Sequence, residues 1–186
     1  MNNYLVGKCL VSMPDIETDE CFGKSVVYIC THNKEGAMGF VINKQLEDFY
    51  FSDLADQLEM EDASMVEPIV LHRGGPLERV RGFVLHSSEY VQEGTVVVDD
   101  MLSVSSSMIV LNDIAFGIGP QYNLIALGYS KWEQGQLERE IISNKWLVVD
   151  ATPELLFKTR DEDKWQVAVD SLGFDISRIS PKVGRA

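Results

Sequence analysis

The stretch from residue 24 to residue 44 constrains the fold most strongly, because it has the pattern of two strands joined by a tight turn. The first run, "KSVVYICTH", is rich in Val, Ile and Tyr, and the apolar run "AMGFVIN" follows after "NKEG". β-Branched and aromatic residues on both sides of a turn containing Asn and Gly are typical of an antiparallel hairpin. The sequence therefore predicts a β-hairpin here.

A glycine inside the second strand needs a physical reason. Gly39 offers no side chain to pack, so a bulge or the close approach of another group is expected there. If residues 33–36 form a four-residue loop, small residues lie across from His32 and Cys30. The predicted cross-strand pairs are His32 with Ala37, Cys30 with Gly39, Tyr28 with Val41, Thr31 with Met38, and Ile29 with Phe40.

The space beside these small residues has two interpretations. We favour its being filled by another part of the chain, for instance a tryptophan from the carboxy-terminal half, because glycines in sheets more often serve shape than ligands. The alternative is a pocket lined by His32 and Cys30. Both interpretations depend on the register, since a shift of one residue exchanges the two faces.

The rest of the chain shows both the two-residue periodicity of strands and the 3.6-residue periodicity of helices. Apolar alternation and turn residues predict a mostly antiparallel, strongly curved sheet in the first half, whereas helical spacing dominates the second. Strands are predicted near residues 5–13, 24–30, 68–73, 81–88, 94–98, 122–130 and 146–150. Helices are predicted near residues 51–58, 105–116, 135–144, 152–157 and 161–172, with Ser52 and Thr152 as caps.

The charge balance bears on the class of partner. Lys and Arg total 16 against 29 Asp and Glu, a net charge of −13, and no run of basic residues occurs. Such a surface repels phosphate backbones, so direct nucleic-acid binding is not expected. The length of 186 residues predicts a single domain over residues 1–186.

The amino terminus and the cysteines bear on location. Lys8, Ser12 and Pro14 interrupt the first apolar run, which predicts a strand and no export signal. No uninterrupted apolar run approaches the roughly 20 residues of a membrane helix. The odd number of cysteines, with no CxxC pair, predicts reduced thiols in a cytoplasmic protein. These residues are Cys9, Cys21 and Cys30.

The sequence contains two candidate binding sites. The segment "HRGGP" could present backbone amides and Arg73 to a phosphate or carboxylate, although a tight turn between strands is the interpretation we favour. Tyr129 and Trp132 are expected to border a pocket, because they lie just before the predicted start of a helix at Gly135. The tryptophans otherwise suit core packing.

The sequence contains no recognisable catalytic or metal-binding motif. The three histidines, His32, His72 and His86, show no metal-ligand spacing, and Ser25 or Cys30 beside His32 would be a nucleophile pair by proximity in sequence alone. Two carboxylates, Glu138 and Glu140, diverge on a helix. We expect Glu140 to orient a backbone or tryptophan group. No cofactor or metal is predicted, and catalysis is left open.

Several strings together resemble the bacterial AlgH/YqgE family. They are "GKCLVSMP", "FGKSVVYICTHNKEGAMGFVINK", "HRGGP", "RGFVLH", "ALGYSKWEQGQLEREIISNKWL" and "KWQVAVDSLG". The resemblance implies an α/β (α+β) fold, a bent and bifurcated, mostly antiparallel sheet folded towards a pseudo-barrel with helices packed outside. It also implies membership of a largely uncharacterised family, whose members are commonly labelled transcriptional regulators. Ser130 and Lys131 depart from the Ala-Gly usual in that family.

These observations lead to one functional hypothesis and one alternative. The hypothesis is a cytoplasmic regulator that acts through a ligand or protein partner and not by direct DNA contact. The alternative is a small-molecule or anion-binding sensor or enzyme with a pocket near His32, His86 and the turn at residues 73–76. The candidate ligand-binding residues are His32, Asn33, Gly36, Gly39, Arg73, Gly74, Gly75, His86, Tyr129, Trp132, Gln136 and Glu140.

Overall fold

The computed structural model describes residues 4–14, 22–57 and 69–173 of the chain. The strands are β1 (Lys8–Ser12), β2 (Val26–Asn33), β3 (Gly36–Val41), β4 (Gln45–Tyr50), β5 (Val70–Arg73), β6 (Leu77–Ser87), β7 (Thr95–Val97), β8 (Leu102–Ser105), β9 (Asn123–Glu133) and β10 (Trp146–Asp150). The helices are α1 (Phe51–Gln57), α2 (Met108–Ala115), α3 (Gln136–Ile142) and α4 (Asp161–Asp170), with a π-helical turn at Glu154–Lys158, here called the π-turn.

The strands form one sheet that branches at β9. The main path runs β10-β1-β2-β3-β9-β6-β8-β7, and β4 and β5 attach to it through β9. The end of β9 pairs with β3 at residues 130–133, whereas its beginning pairs with β5 at residues 125–127 and with β6 on the other edge. The β5–β9 pair is parallel and the others are antiparallel. The predicted bent, bifurcated sheet is therefore confirmed.

Glycines allow the chains to approach closely at this branch. Gly128 has a φ of 76°, a backbone conformation that side chains disfavour. A Cβ atom on Gly75 would lie 2.2 Å from the backbone carbon of Tyr129, and one on Gly74 would lie 2.3 Å from the carbonyl oxygen of Gly128. Only glycine can occupy these positions, so the "GG" of "HRGGP" serves the close packing of two chain segments.

The two faces of the sheet carry different cores, in the period-two pattern expected of strands. Tyr28 and Phe40 lie in the interior of the curled sheet, where the ring of Phe40 is 5.0 Å from that of Phe83 on β6. Val27 and Ile29 point to the opposite face, where Leu137 of α3 covers them. Helix α4 and the π-turn close the interior side, and α1 and α2 share a third cluster. Helices α1, α2 and α3 thus pack outside the curled sheet, as predicted, whereas α4 and the π-turn pack against its interior.

The hairpin differs from its prediction in two respects. The turn has two residues, because Asn33 pairs with Gly36, and Cys30 forms a bulge that shifts the register below it. His32 still lies opposite Ala37, but Gly39 lies opposite Ile29. The predicted pairs Cys30 with Gly39, Tyr28 with Val41, and Ile29 with Phe40 are wrong.

The bulge separates two side chains that were expected on one face. Cys30 joins the interior core with Tyr28, whereas His32 points to the α3 side. Gly39 makes room for the bulge, since a Cβ atom there would lie 2.5 Å from the carbonyl oxygen of Tyr28. The space at this position is occupied by the protein's own backbone and not by an open pocket.

The remaining predictions of strands, helix starts and caps agree with the structure only in part. Strands β4 and β8 were not predicted, because "QLEDFY" is mostly polar and "LSVS" is short. Helix α1 begins at Phe51, so Ser52 lies inside its first turn and does not cap it. Thr152 does cap the following turn, since its hydroxyl accepts from the amide of Leu155 (3.1 Å). The predictions for Cys21 and residue 58 fall outside the described residues.

Cys9 and Cys30 are free thiols in the core. In the described parts of the chain, no helix is long and apolar enough to span a bilayer.

Candidate functional site

A cleft lies between helix α4, the π-turn and the sheet. Its volume is about 450 Å³, within the range of ligand pockets. We call it the α4 cleft. Its lining residues are Gln45, His72, Asn123, Leu124, Leu156, Phe157, Lys158, Thr159, Arg160, Asp161, Glu162 and Lys164.

Asp161 is the centre of a buried polar network in this cleft. Its Oδ2 accepts from Nε2 of His72 (2.9 Å) and from the side-chain amide of Gln45 (2.6 Å), and its Oδ1 accepts from Nζ of Lys164 (2.7 Å). Three segments far apart in sequence, β4, β5 and α4, therefore meet at one carboxylate. We call His72, Asp161, Lys164 and Gln45 the α4 network.

Lys164 is an unusual feature of this network, because a lysine is rarely buried unless it is paired. Its side chain is 3% exposed. Besides its bond to Asp161, its ammonium group donates to the carbonyl oxygen of Ile42 (2.9 Å), just beyond the end of β3. Two of its three protons have protein partners, which fixes the start of α4 against the sheet.

His72 faces an acceptor on each side of its ring. Nδ1 lies 3.2 Å from the carbonyl oxygen of Ile125, and Nε2 lies 2.9 Å from Asp161. Because a carbonyl oxygen and a carboxylate can only accept, the imidazolium form, with a proton on both nitrogens, satisfies both contacts. Both ring nitrogens are therefore engaged with the protein's own acceptors.

The groups around Asp161 stabilise its ionised form. Burial alone would raise the pKa of Asp161, but the hydrogen bond from His72 and the positive charges of His72 and Lys164 outweigh it and hold the pKa of this carboxyl below its ordinary value. The carboxylate is therefore ionised at neutral pH. This mostly buried carboxylate, between the ring of His72 and the ammonium of Lys164, lies at the floor of the cleft.

The wall of the cleft is a π-helical turn. The amide of Thr159 donates to the carbonyl oxygen of Glu154 (2.8 Å), five residues earlier, which is the π-type bond. This turn sets Leu156 and Phe157 beside the cleft. π-Helical segments are rare and frequently occur at functional sites.

Two backbone amides of the candidate anion site at "HRGGP" already donate hydrogen bonds within the protein. The amide of Gly74 donates to the carbonyl oxygen of Leu127 (2.8 Å), and that of Arg73 donates to Lys44 (2.7 Å). Gly75 is pressed against the backbone of β9. This segment bridges β3 and β9, and the two named amides are not available to an anion.

His32 and His86 lie in separate networks. His32 accepts from the amide of Leu5 through Nδ1 (3.0 Å) and donates to Glu138 through Nε2 (2.9 Å). His86 is fully buried, donates to the carbonyl oxygen of Ser87 (3.0 Å) and contacts the hydroxyl of Ser105 (2.9 Å). Burial lowers the pKa of His86. The structure does not bring the three histidines together.

Trp132, Gln136 and Glu140 do come together. Oε2 of Glu140 accepts from the indole N–H groups of Trp132 (2.9 Å) and Trp146 (2.8 Å), and its Oε1 accepts from Gln136 (3.0 Å). The prediction that Glu140 orients a tryptophan is confirmed. These residues line a cleft of about 210 Å³, here called the indole cleft, together with Ser130.

Asn33, Gly36, Tyr129 and Trp132 line a shallow hollow of about 310 Å³ beside the hairpin. A Cβ atom on Gly36 would lie 2.1 Å from the carbonyl oxygen of Trp132, so this glycine also serves the approach of β9. The predicted pair Tyr129 and Trp132 does border this hollow. The twelve candidate residues are thus distributed over several places.

The α4 network was missed by sequence reasoning. Asp161, Lys164 and His72 are not among the candidate ligand-binding residues predicted from the sequence. His72 was named there as one of three histidines without metal-ligand spacing. One signal was available, since "DEDKW" places a lysine three residues after Asp161, on the same helix face. Among the described residues, no group of three or more His, Cys, Asp or Glu could hold a metal ion.

Comparison with known proteins identifies the family. The AlgH-like family model matches residues 9–177. A UPF0301 protein of Rhodospirillum rubrum is 43% identical over 183 residues, covering 98% of this chain and 95% of that protein. A UPF0301 protein of a Jannaschia species is 42% identical over 188 residues, covering 100% and 97%.

Solved structures agree with this assignment. The solution structure of the AlgH protein from Pseudomonas aeruginosa is similar with a TM-score of 0.76 and 37% identity, covering 100% of this chain and 98% of that one. Protein DIP2367 of Corynebacterium diphtheriae shares the fold, with a TM-score of 0.69, 20% identity and coverage of 88% and 85%. A family match over most of the sequence, with relatives above 40% identity along nearly their whole length, shows that this chain belongs to the AlgH-like family.

Proposed function

We propose that this protein is a cytoplasmic regulatory protein that binds a small ligand or a partner's side chain in the α4 cleft and does not contact DNA directly. The observation that carries the proposal is the α4 network at the floor of the cleft. Removing charged groups from water costs several kcal/mol per ion. Buried ionised groups in a concave site are typical of functional sites.

The geometry favours binding over catalysis by His72. A general base needs a lone pair within reach of the proton that it abstracts. Both nitrogens of His72 face protein acceptors, and Asp161 has protein donors at both of its oxygens. The network is thus suited to hold the cleft in shape and to set its electrostatic field.

The network also gives a route from a bound ligand to the rest of the molecule. It joins the start of α4 to β4 and β5 through Asp161, and to the chain after β3 through Lys164. A ligand in the cleft touches both α4 and the sheet, so its binding strengthens the attachment of the helix. Regulation through a partner that contacts α4 follows from this coupling.

Direct DNA contact is disfavoured by charge. A net charge of −13 opposes approach to a phosphate backbone, and DNA-binding proteins rely on basic patches for affinity. The regulatory role in this proposal is therefore indirect, through the ligand or the partner.

A thermal-shift screen tests the proposal. A saturable ligand of the folded state raises the melting temperature of the purified protein. The matched variants are Asn123→Trp, which fills the mouth of the α4 cleft, and Gln136→Ala in the indole cleft. We expect hits that are lost in Asn123→Trp and kept in Gln136→Ala. Hits that persist in Asn123→Trp, or a diverse library without hits, would count against the cleft as the binding site.

A further inference from the structure

We infer that the α4 cleft takes a small organic anion, with its carboxylate or phosphate group between Lys158 and Arg160 and its apolar part against the π-turn. This inference rests on the proposed function and names the ligand class for the same cleft. Three observations carry it: the sign of the charge in the cleft, the availability of two cations at its rim, and an apolar wall beside them.

The sign of the charge in the cleft is opposite to that of the chain. Acidic residues exceed basic ones by 29 to 16 in the whole sequence. The cleft lining instead has three Lys or Arg against two Asp or Glu. A concave site of one sign in a surface of the other sign concentrates ligands of opposite charge.

The two rim cations are available to a ligand. The side chains of Lys158 and Arg160 are 48% and 72% exposed, and their ion-pair partners are neighbours on the same segment. Lys158 lies 3.6 Å from Glu154, and Arg160 lies 3.1 Å from Glu162 and 2.7 Å from Asp163. Exposed pairs of this kind contribute about 0–1 kcal/mol, so an anion can replace them at little cost.

The buried cation has a different role from the rim cations. Lys164 is held by Ile42 and Asp161 and does not reach the rim. Its charge nevertheless offsets that of Asp161 at the floor of the cleft. The ligand's negative group is therefore placed at the rim, where guanidinium and ammonium donors can turn towards it.

The wall next to these cations is apolar and partly aromatic. Leu156 is buried, and the ring of Phe157 stacks on that of Tyr122 with centroids 5.8 Å apart and planes 17° apart. The ammonium of Lys158 lies 5.8 Å from the centroid of Tyr122. A ligand that has a ring or a branched apolar group beside its anionic group would bury that part against this wall.

Matched pairs of charged and neutral compounds test the inference by calorimetric titration. The probes are benzoate with benzamide, phenyl phosphate with phenol, and AMP with adenosine. Each pair keeps the ring and changes the charge. We expect at least one anion to bind about 10-fold or more tightly than its neutral partner, with a difference that shrinks at high salt. The carboxylate and phosphate pairs distinguish the two anionic groups.

Charge-removing variants locate the binding. The double variant Lys158→Gln/Arg160→Gln is expected to lose the preference for anions, and the exposed Lys131→Gln outside the cleft is the control. Equal binding of neutral and charged partners, or no change in the double variant, would overturn the inference. Neutral ligands that bind in the cleft would overturn it and leave the proposed function standing. If no probe binds there and the thermal-shift screen has no hit there either, both fail.

Discussion

Nε2 of His72 lies 2.9 Å from Oδ2 of Asp161, although the two residues are 89 positions apart in the sequence. This contact ties the strand before the glycine-rich segment to the first residue of helix α4. It also places an ionised carboxylate in the lining of the α4 cleft.

Removing the charge of Asp161 should destabilise the protein strongly. In Asp161→Asn, the buried ammonium of Lys164 and the ring of His72 lose their charged partner, and breaking a buried ion pair from one side costs about 3–5 kcal/mol. Urea unfolding at pH 7 measures the loss. The control is Glu162→Gln at the exposed rim, which should change the free energy of unfolding by less than about 0.5 kcal/mol. Equal stability of the two variants would contradict the account of the network.

The carboxylate of Asp161 should make the free energy of unfolding depend on pH in the acidic range. The pKa of Asp161 lies below its ordinary value in the folded protein, so the folded state binds a proton there less readily than the unfolded state. Its contribution is complete above the ordinary carboxyl range near pH 4 and is lost as the pH falls towards the folded pKa. We expect unfolding free energies measured from pH 6 to pH 3 to fall less steeply in Asp161→Asn. Parallel curves would show that this group does not contribute.

Two glycines near the branch of the sheet should respond differently to alanine. In Gly75→Ala the new Cβ atom would lie 2.2 Å from the backbone of Tyr129, whereas in Gly82→Ala its nearest neighbour is a methyl group of Leu127 at 3.8 Å. We expect a loss of about 3 kcal/mol for the first variant and a change within about 1 kcal/mol for the second. Thermal unfolding of both variants checks the expectation, and similar melting temperatures would be inconsistent with the close approach of β5 and β9.

The two indoles should depend on Glu140. In Glu140→Gln only one acceptor oxygen remains, and the new amide group would face a donor at Trp132, Trp146 or Gln136. We expect a loss of about 1–3 kcal/mol together with a change in tryptophan emission. Glu133→Gln, an exposed neighbour, serves as the control. A variant with unchanged emission and stability would mean that the carboxylate does not hold the rings.

The core thiols should be unreactive in the folded protein. Burial raises the pKa of Cys9 to about 12 and that of Cys30 well above its ordinary value, so neither forms a thiolate at pH 8. In a Cys21→Ser background, a thiol reagent should modify neither cysteine in buffer and both in urea. Rapid modification of either one under native conditions would contradict their burial.

The sequence patterns predicted the elements better than the contacts between them. Alternation in "VVYICTH" and helical spacing in the last third located most strands and helices, because those signals are local. Gly39 indicated that a bulge could lie nearby. The position of the bulge at Cys30 was not predictable, since a bulge changes no residue's strand propensity. The bulge reversed the relation between Cys30 and His32, which the unbroken register had placed on one face.

The candidate site shows the same limit. Glu140 was correctly expected to serve a tryptophan, because its partners lie within a short stretch of the chain. Asp161 and His72 meet only in the folded chain, and no motif contains both of them. A first-turn aspartate and a strand histidine each have a common structural explanation, so their pairing became visible only in three dimensions.

Ligand mapping by two-dimensional ¹⁵N–¹H NMR tests the central claim most directly. Spectra recorded while the anionic probes and the thermal-shift hits are added should show changes at the amides of residues 156–162, His72 and Asn123, which line the α4 cleft. Changes confined to that set would support the cleft as the binding site. Changes gathered at the indole cleft or the hairpin hollow, or no changes with any compound, would contradict it.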